Sequence, residues 1–238
     1  MLETIPAKDR FNSKDSSLDT FHLFSFGSYS APKNSSFKCL RVFNDDTVEA
    51  GAGFPLHPHR DYEILTIVLE GALTHADNAG NQGTIGKNCA QRISAGSGIL
   101  HSEFNMGNAP CRLFQIWFSP NKRGHPTSYE TAKGILRKNC LVPLASGKPG
   151  TGRKKSKTRA TLKANAEVFL LELSTQKAIT LPFPDFFIYA FSGKLSLDDS
   201  AGNRKILLPG DQVRALGEKG AVLRGVSGVP KAVIISFF

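Results

Sequence analysis

Cysteine is sparse in this chain, and its placement excludes more than its number does. Cys39, Cys89, Cys111 and Cys140 form no Cys-x-x-Cys pair, so neither a zinc ribbon nor a thioredoxin-type redox motif is encoded. Such thiols are expected to be reduced and mostly buried rather than joined in disulfides. Long apolar runs are missing too: none approaches the roughly 18–20 residues that a membrane-spanning helix needs. The stretch from Met1 to Arg10 lacks the basic-then-apolar pattern of a secretory signal, and the expectation is a cytoplasmic protein. Histidine is absent after His125 and cysteine after Cys140. Any histidine-based site must therefore belong to the first half of the chain.

Acidic residues are absent from 131–165, a segment that carries the whole charge excess. It holds ten cations, among them Lys148, Arg153, Lys154, Lys155, Lys157 and Arg159, together with Pro143, Gly147, Pro149, Gly150 and Gly152. The net charge is +10, so the rest of the chain is neutral, with twenty cations against twenty anions. Self-repelling charge mixed with turn formers is linker chemistry. The segment has no aromatic residue on which a base could stack, which argues against nucleic acid as a partner.

What is present, at 40% hydrophobic and 21% charged residues, is a globular composition. Short runs rich in Val, Ile, Leu and Phe recur at strand length: Leu40–Phe43, Ile64–Leu69, Leu113–Phe118 and Phe186–Phe191. Turn signals such as Glu70-Gly71 and Ser192-Gly193 bound them. Helical periodicity is confined to a turn or two near 130–138. Closely spaced strands without intervening helices predict an all-β fold, two antiparallel barrels of the jelly-roll type over 1–130 and 166–238, joined by the basic linker 131–165.

His57-Pro58-His59 is the densest histidine pair. In extended chain, residues two apart share a face, so both rings can converge on one ion. Pro58 cannot donate to a sheet ladder, which places the pair at a strand start or on an edge. His101-Ser102-Glu103 repeats the spacing with a carboxylate second. Face to face inside a barrel, the two pairs offer three nitrogens and one carboxylate oxygen. That set suits Fe(II), Mn, Co, Ni or Cu(II), with open positions for substrate or oxygen, and disfavours ions that prefer thiolate.

These residues sit in recognisable surroundings. Gly51-x5-His57-x-His59-x3-Glu63 resembles a first cupin motif, and Gly98-x2-His101-x3-Asn105 a second. Thr20–Phe26, Leu40–Asp46, Gly53–His59 and Ser94–Asn105 are similar to the pirin family, most of all to its short bacterial members associated with quercetinase activity. The likeness covers about 17–130. Beyond 166 only Phe191-Ser192-Gly193 and Leu208-Pro209-Gly210-Asp211 look cupin-like, and the basic segment departs from the pattern.

The resemblance implies a bicupin with one divalent transition metal, Fe(II) first, held by His57, His59, His101 and Glu103, and a C-terminal barrel without metal ligands. General cupins take the carboxylate from the first motif, here Glu63; pirin-like proteins take it from the second, here Glu103. Of the other histidines, His22 reads as a core or pocket-lining residue, His75 as a hydrogen-bonded structural one and His125 as a loop residue. Phe54, Phe104, Phe114 and Trp117 read as core, with a subset able to wall a planar aromatic substrate.

The activity implied is a dioxygenase that opens the heterocycle of a flavonol such as quercetin with O2. In it the metal acts as Lewis acid, and Glu103 takes the hydroxyl proton as the catalytic base. A second reading uses the same site as a redox or ligand sensor that controls a protein partner. A third makes it structural or vestigial.

Overall fold

The computed structural model describes residues 1–133, 136–148 and 160–238, and within them the chain forms twenty β-strands and two short 3-10 turns. Among these residues no helix is long and apolar enough to cross a membrane. In chain order come β1 (Leu2–Ile5), β2 (Phe11–Lys14), β3 (Leu18–His22), β4 (Leu40–Val48), β5 (Gly53–His59), β6 (Glu63–Glu70) and β7 (Ala72–Asp77). They are followed by β8 (Gln82–Gly86), β9 (Cys89–Ser94), β10 (Ile99–Phe104), β11 (Cys111–Phe118), β12 (Ser128–Lys133), β13 (Leu141–Ser146) and β14 (Ala160–Thr161). The last are β15 (Ala166–Glu172), β16 (Ala178–Thr180), β17 (Phe186–Asp198), β18 (Arg204–Leu207), β19 (Gln212–Ala215) and β20 (Val222–Phe237).

Two compact units result, and they are not sequential. One comprises Met1–Arg10, Ile135–Ala145 and Ala166–Phe238; the other comprises Phe11–Gly134 and Ser146–Asn165. The first ten residues join the C-terminal unit because β1 pairs with β19, Leu2 opposite Ala215. The stretch read as a basic linker contains the end of β12, all of β13 and β14. Its residues 134–135 and 149–159, including five of the ten cations, lie outside the described residues. The helical turns expected near 130–138 are not found among the described residues. Ser128–Lys133 is strand β12 on β9, where Glu130 stands opposite Arg92 and pairs with its guanidinium at 2.7 Å.

The C-terminal unit is one antiparallel sheet in the order β1-β19-β17-β20-β15-β13, with β16 on β20 and β18 on β17. Its core gathers Phe186, Ile188, Leu195, Val213, Leu223 and Ile234 among others. The turn signal at Ser192-Gly193 does not end a strand. Instead β17 runs on through register shifts between Ala190 and Leu195 while β20 continues alongside. Gly193 (φ 60°) supplies the left-handed residue of that bulge, where a Cβ would lie 2.7 Å from the Pro230 nitrogen.

The other unit is a sandwich of a seven-stranded sheet, β12-β9-β6-β11-β4-β3-β2, and a four-stranded one, β5-β10-β7-β8. Side chains two apart share a face, and the register lines them up in rows across the large sheet. One row is apolar: Ile93, Ile64 and Trp117. The next is polar across five strands: Gln91, Thr66, Gln115, Asn44 and His22. Then follow Cys89, Val68, Leu113, Asp46 and Thr20, and beyond them Cys111, Val48 and Leu18. The apolar members close on the small sheet in two clusters, Ile64/Ile93/Ala95/Ile99 and Val48/Val68/Leu73/Ile85/Cys111/Leu113. Burial of each Leu, Ile or Val there contributes about 1.5–3 kcal/mol, and the polar row is left between the two clusters. All four cysteines are free; Cys111 is buried and the others are half-buried.

Candidate metal centre

β10 lies between β5 and β7, and its register assembles the site. His101 stands opposite His57 on β5 and Asp77 on β7; Glu103 stands opposite His75 on β7. A register shift falls between His101 and Glu103 on the β5 side. β5 is an edge strand, which explains how Pro55 and Pro58 fit within it. At its start Gly53 faces β10 so closely that a Cβ would overlap the Glu103 carbonyl and the Phe104 backbone. Asn105 fastens the far end of β10: its amide donates to the Val48, Glu49 and Ala109 carbonyls at 3.0, 3.2 and 2.8 Å.

The three histidine rings cluster with centroids 4.6 Å (His57–His59, edge to face), 4.4 Å (His57–His101, tilted) and 4.9 Å (His59–His101, tilted) apart. One ligand nitrogen from each lies within 4.8 Å of the others. His57 Nδ1 is 2.6 Å from the Pro55 carbonyl, so a proton there leaves Nε2 free to coordinate. His59 Nε2 and both ring nitrogens of His101 are buried without a hydrogen-bond partner. Burial, reinforced by the neighbouring rings, pulls His59 down to about 4 and His101 to about 3. Both rings are neutral near pH 7, the form that binds metal.

Glu103 is 2% exposed. Gln91 Nε2 donates to one of its carboxylate oxygens, and Gln115 Nε2 donates to the other at 2.7 Å. Tyr129 Oη in turn donates to Gln91 Oε1 at 3.0 Å. Burial pushes the Glu103 carboxyl up to about 7, with the two amides opposing the shift only in part. Its oxygen falls in a second cluster with His75 and His101, again within 4.8 Å. The four residues expected as ligands are thus divided: His57, His59 and His101 form one set, and Glu103 falls in another with His75 and His101.

Glu63 takes another direction. Ile64 and Thr66 of β6 face the cavity side, and the Glu63 carboxylate accepts the Lys163 backbone N–H at 3.1 Å. Among the described residues it joins neither ligand cluster.

A cavity of about 470 Å³ opens beside the histidines. Phe26, Phe54, Leu56, Ile64 and Trp117 give it apolar walls, and His22, Asn44, Asp46 and Gln115 give it polar ones. His22 lines it with Nδ1 3.0 Å from Asn44 Oδ1. Of the aromatic set, Phe54 and Trp117 reach the cavity, while Phe114 is fully buried against Phe43; Phe104 is half-buried on β10. His125 bonds Asn121 at 2.9 Å. His75 has the hydrogen bond expected of it and also falls in the second cluster. Nε2 meets Asp77 at 3.0 Å and the ring stacks on Tyr129 at 4.6 Å, yet Nδ1 is buried, unpartnered and within reach of His101 and Glu103. Gln91, Thr66, Gln115 and Asp46 were missed in the sequence. Their only signal is a polar residue in the middle of an apolar strand.

Buried ring nitrogens without partners are rare in folded proteins because each forfeits its hydration. Three such nitrogens on two neutral histidines, beside a third histidine and an adjoining buried carboxyl, fit a divalent transition ion of intermediate softness. The absence of thiolate from both clusters sets them apart from structural zinc sites.

Fold and site together define a class, an all-β bicupin with a histidine-lined cavity in one barrel. Residues 5–118 match the family described as Pirin. A Mycobacterium tuberculosis protein named "Putative quercetin 2,3-dioxygenase Rv0181c" is 39% identical over 90% of this chain and 86% of its own length. Pseudomonas aeruginosa "Putative quercetin 2,3-dioxygenase PA1210" is 42% identical over 62% of this chain and 64% of its own, so that match spans less than two thirds of the relative. The bacterial pirin YhhW from Escherichia coli, solved in complex with nickel(II), superposes with a TM-score of 0.88 at 28% identity, covering 100% of this chain and 99% of that one. The chain belongs to the pirin family.

Proposed function

We propose that this protein is a metal-dependent dioxygenase that opens the heterocycle of a flavonol such as quercetin with O2. It would use one divalent transition metal, Fe(II) first among the candidates, held by His57, His59, His101 and Glu103. The observation that carries the reading is the cluster of neutral histidines with unpartnered nitrogens at the wall of a largely apolar cavity. The substrate class comes from relatives named for quercetin 2,3-dioxygenase activity, and a relative solved with nickel(II) supports a metal of this type.

When bound, the ion supplies Lewis acidity toward an ionised hydroxyl and a position for O2. The remaining work falls to side chains. Phe54 and Trp117 wall a flat ring and exclude water from it. His57, His59 and His101 present nitrogens whose rings are fixed by strand pairing rather than by loops. Glu103 accepts the substrate hydroxyl proton on a carboxylate oxygen. The Gln91 and Gln115 amides keep that carboxylate oriented while it is charged.

The test is to strip the protein, reload it separately with Fe(II), Mn, Co, Ni and Cu, and follow quercetin absorbance under oxygen, with His101→Ala as control. Metal-dependent loss of the flavonol that vanishes in the variant is the expected result. A flat trace with stoichiometric metal bound would overturn it, and weight would pass to a sensing module that controls a protein partner.

A further inference from the structure

β4 sorts its two consecutive acids to opposite faces. Asp45 meets the Arg112 guanidinium at 2.9 and 2.8 Å. Asp46 turns into the cavity, is 1% exposed, and its Oδ1 has no hydrogen-bond partner. Directly across on β3 stands Thr20, 2% exposed, whose Oγ1 also lacks a partner and which also lines the cavity. On the other side Asp46 is flanked by Leu113 of β11, which offers nothing polar. The two polar groups have at most each other, in poor geometry, a standing cost that an apolar pair of the same shape would remove. Neither belongs to the ligand clusters or to the amides that hold Glu103.

We propose that Asp46, assisted by Thr20, is a specificity-determining residue that hydrogen-bonds a ring hydroxyl of the substrate other than the one held at the metal centre. This rests on the reading of the cavity as the site of a planar, polyhydroxylated aromatic. Burial, opposed in part by the Thr20 hydroxyl and reinforced by Asp45 and Glu103, pushes the Asp46 carboxyl up to about 8, so near pH 7 it keeps a proton and can both donate and accept. A phenolic hydroxyl has the same dual capacity. A site built around such a group rejects analogues that lack the hydroxyl, because its own polar atoms are then left unpaired.

The experiment uses metal-loaded protein without oxygen, so that binding is read without turnover. Quercetin and analogues each lacking one hydroxyl are titrated against the fluorescence of Trp117, the single tryptophan, which lines the cavity. Wild type is expected to bind one of the analogues roughly 10- to 100-fold more weakly than quercetin. Asp46→Leu and Thr20→Val should weaken quercetin while leaving that analogue unchanged, and Asp46→Asn should restore most of the quercetin affinity. Metal content should not move, and Asp46→Leu should melt no lower than wild type.

Equal affinities in wild type and Asp46→Leu, a uniform loss across all analogues, or a loss that follows metal content would each overturn the assignment of Asp46 alone. Failure of metal-loaded wild type to bind any flavonol would overturn the proposed function and this inference with it.

Discussion

Replacing Glu103 by Gln removes a carboxyl that must lose its proton to join a metal, and the proton can be counted. With the Glu103 carboxyl at about 7, roughly 0.9 of it is protonated at pH 6 and roughly 0.1 at pH 8. A metal ion that takes the ionised form expels that fraction. Calorimetric titration of the metal-free protein with Ni(II) or Mn(II), in buffers of different ionisation enthalpy, gives protons released per ion. Wild type should release about 0.9 proton more than Glu103→Gln at pH 6 and about 0.1 more at pH 8. Taking the difference between the two proteins cancels whatever the histidines release in both. Parallel proton counts at the two pH values would refute Glu103 as a ligand. The same titration of Glu63→Gln should match wild type, because that carboxylate is engaged by the Lys163 N–H.

Three further outcomes follow from the geometry. Gly53→Ala drives a methyl into the β10 backbone at Glu103; it should cost about 3 kcal/mol in urea denaturation and depress metal content, and an unperturbed variant would show that β5 can move off β10. Arg92→Met leaves Glu130, Ser94 and Ser128 without the guanidinium that reaches them at 2.7–2.9 Å; a loss of about 2–3 kcal/mol is expected from the shift in urea midpoint. His59 and His101 should each make the metal-free protein lose stability on acidification. His59 and His101 titrate at about 4 and about 3 in the fold against 6.5 ordinarily, so the unfolded chain takes up protons first as pH falls below about 6.5. Glu103, raised to about 7 from 4.5, and Asp46, raised to about 8 from 3.8, contribute the opposite slope, their stability being lost as pH rises toward those values; replacing His101 alone isolates the histidine share. His101→Ala should therefore fall less steeply than wild type between pH 6.5 and 4 in thermal melts, and parallel curves would contradict the depressed value.

The histidine cluster was legible because its spacing is local. His57 and His59 lie on one strand, His101 and Glu103 on another, and a period of two is enough to put each pair on one face. The strand runs at Leu40–Phe43, Ile64–Leu69 and Leu113–Phe118 were legible for the same reason, being apolar stretches of fixed length between turns. The Ser192-Gly193 signal misled because glycine marks a left-handed residue, whether that residue ends a strand or forms a bulge within one. Only the presence of β20 alongside decides between them, and that is long-range information. The N-terminal strand escaped the expected domain boundary likewise, since its partner β19 is some two hundred residues away.

The polar row shows more sharply why the rest was hidden. Gln91, Thr66, Gln115, Asn44 and His22 come from five strands, and each stands alone within its own stretch of sequence. Taken singly, a Gln inside Leu-Phe-Gln-Ile-Trp-Phe is a flaw in a core strand. Pairing makes it a pattern, because register alone brings Gln91 and Gln115 to the two oxygens of Glu103. The same registration leaves Asp46 between Thr20 and Leu113, with no polar neighbour across the sheet but the Thr20 hydroxyl. A buried carboxyl so poorly partnered lowers stability, while an apolar residue at 46 would continue the Val68–Leu113 row. The apolar sequence around it specifies the sandwich well enough to carry that cost, and the cost is concentrated in the cavity beside the histidines. Function is therefore to be sought where the row pattern breaks toward polarity without a partner, a criterion that needs strand pairing but no bound ligand.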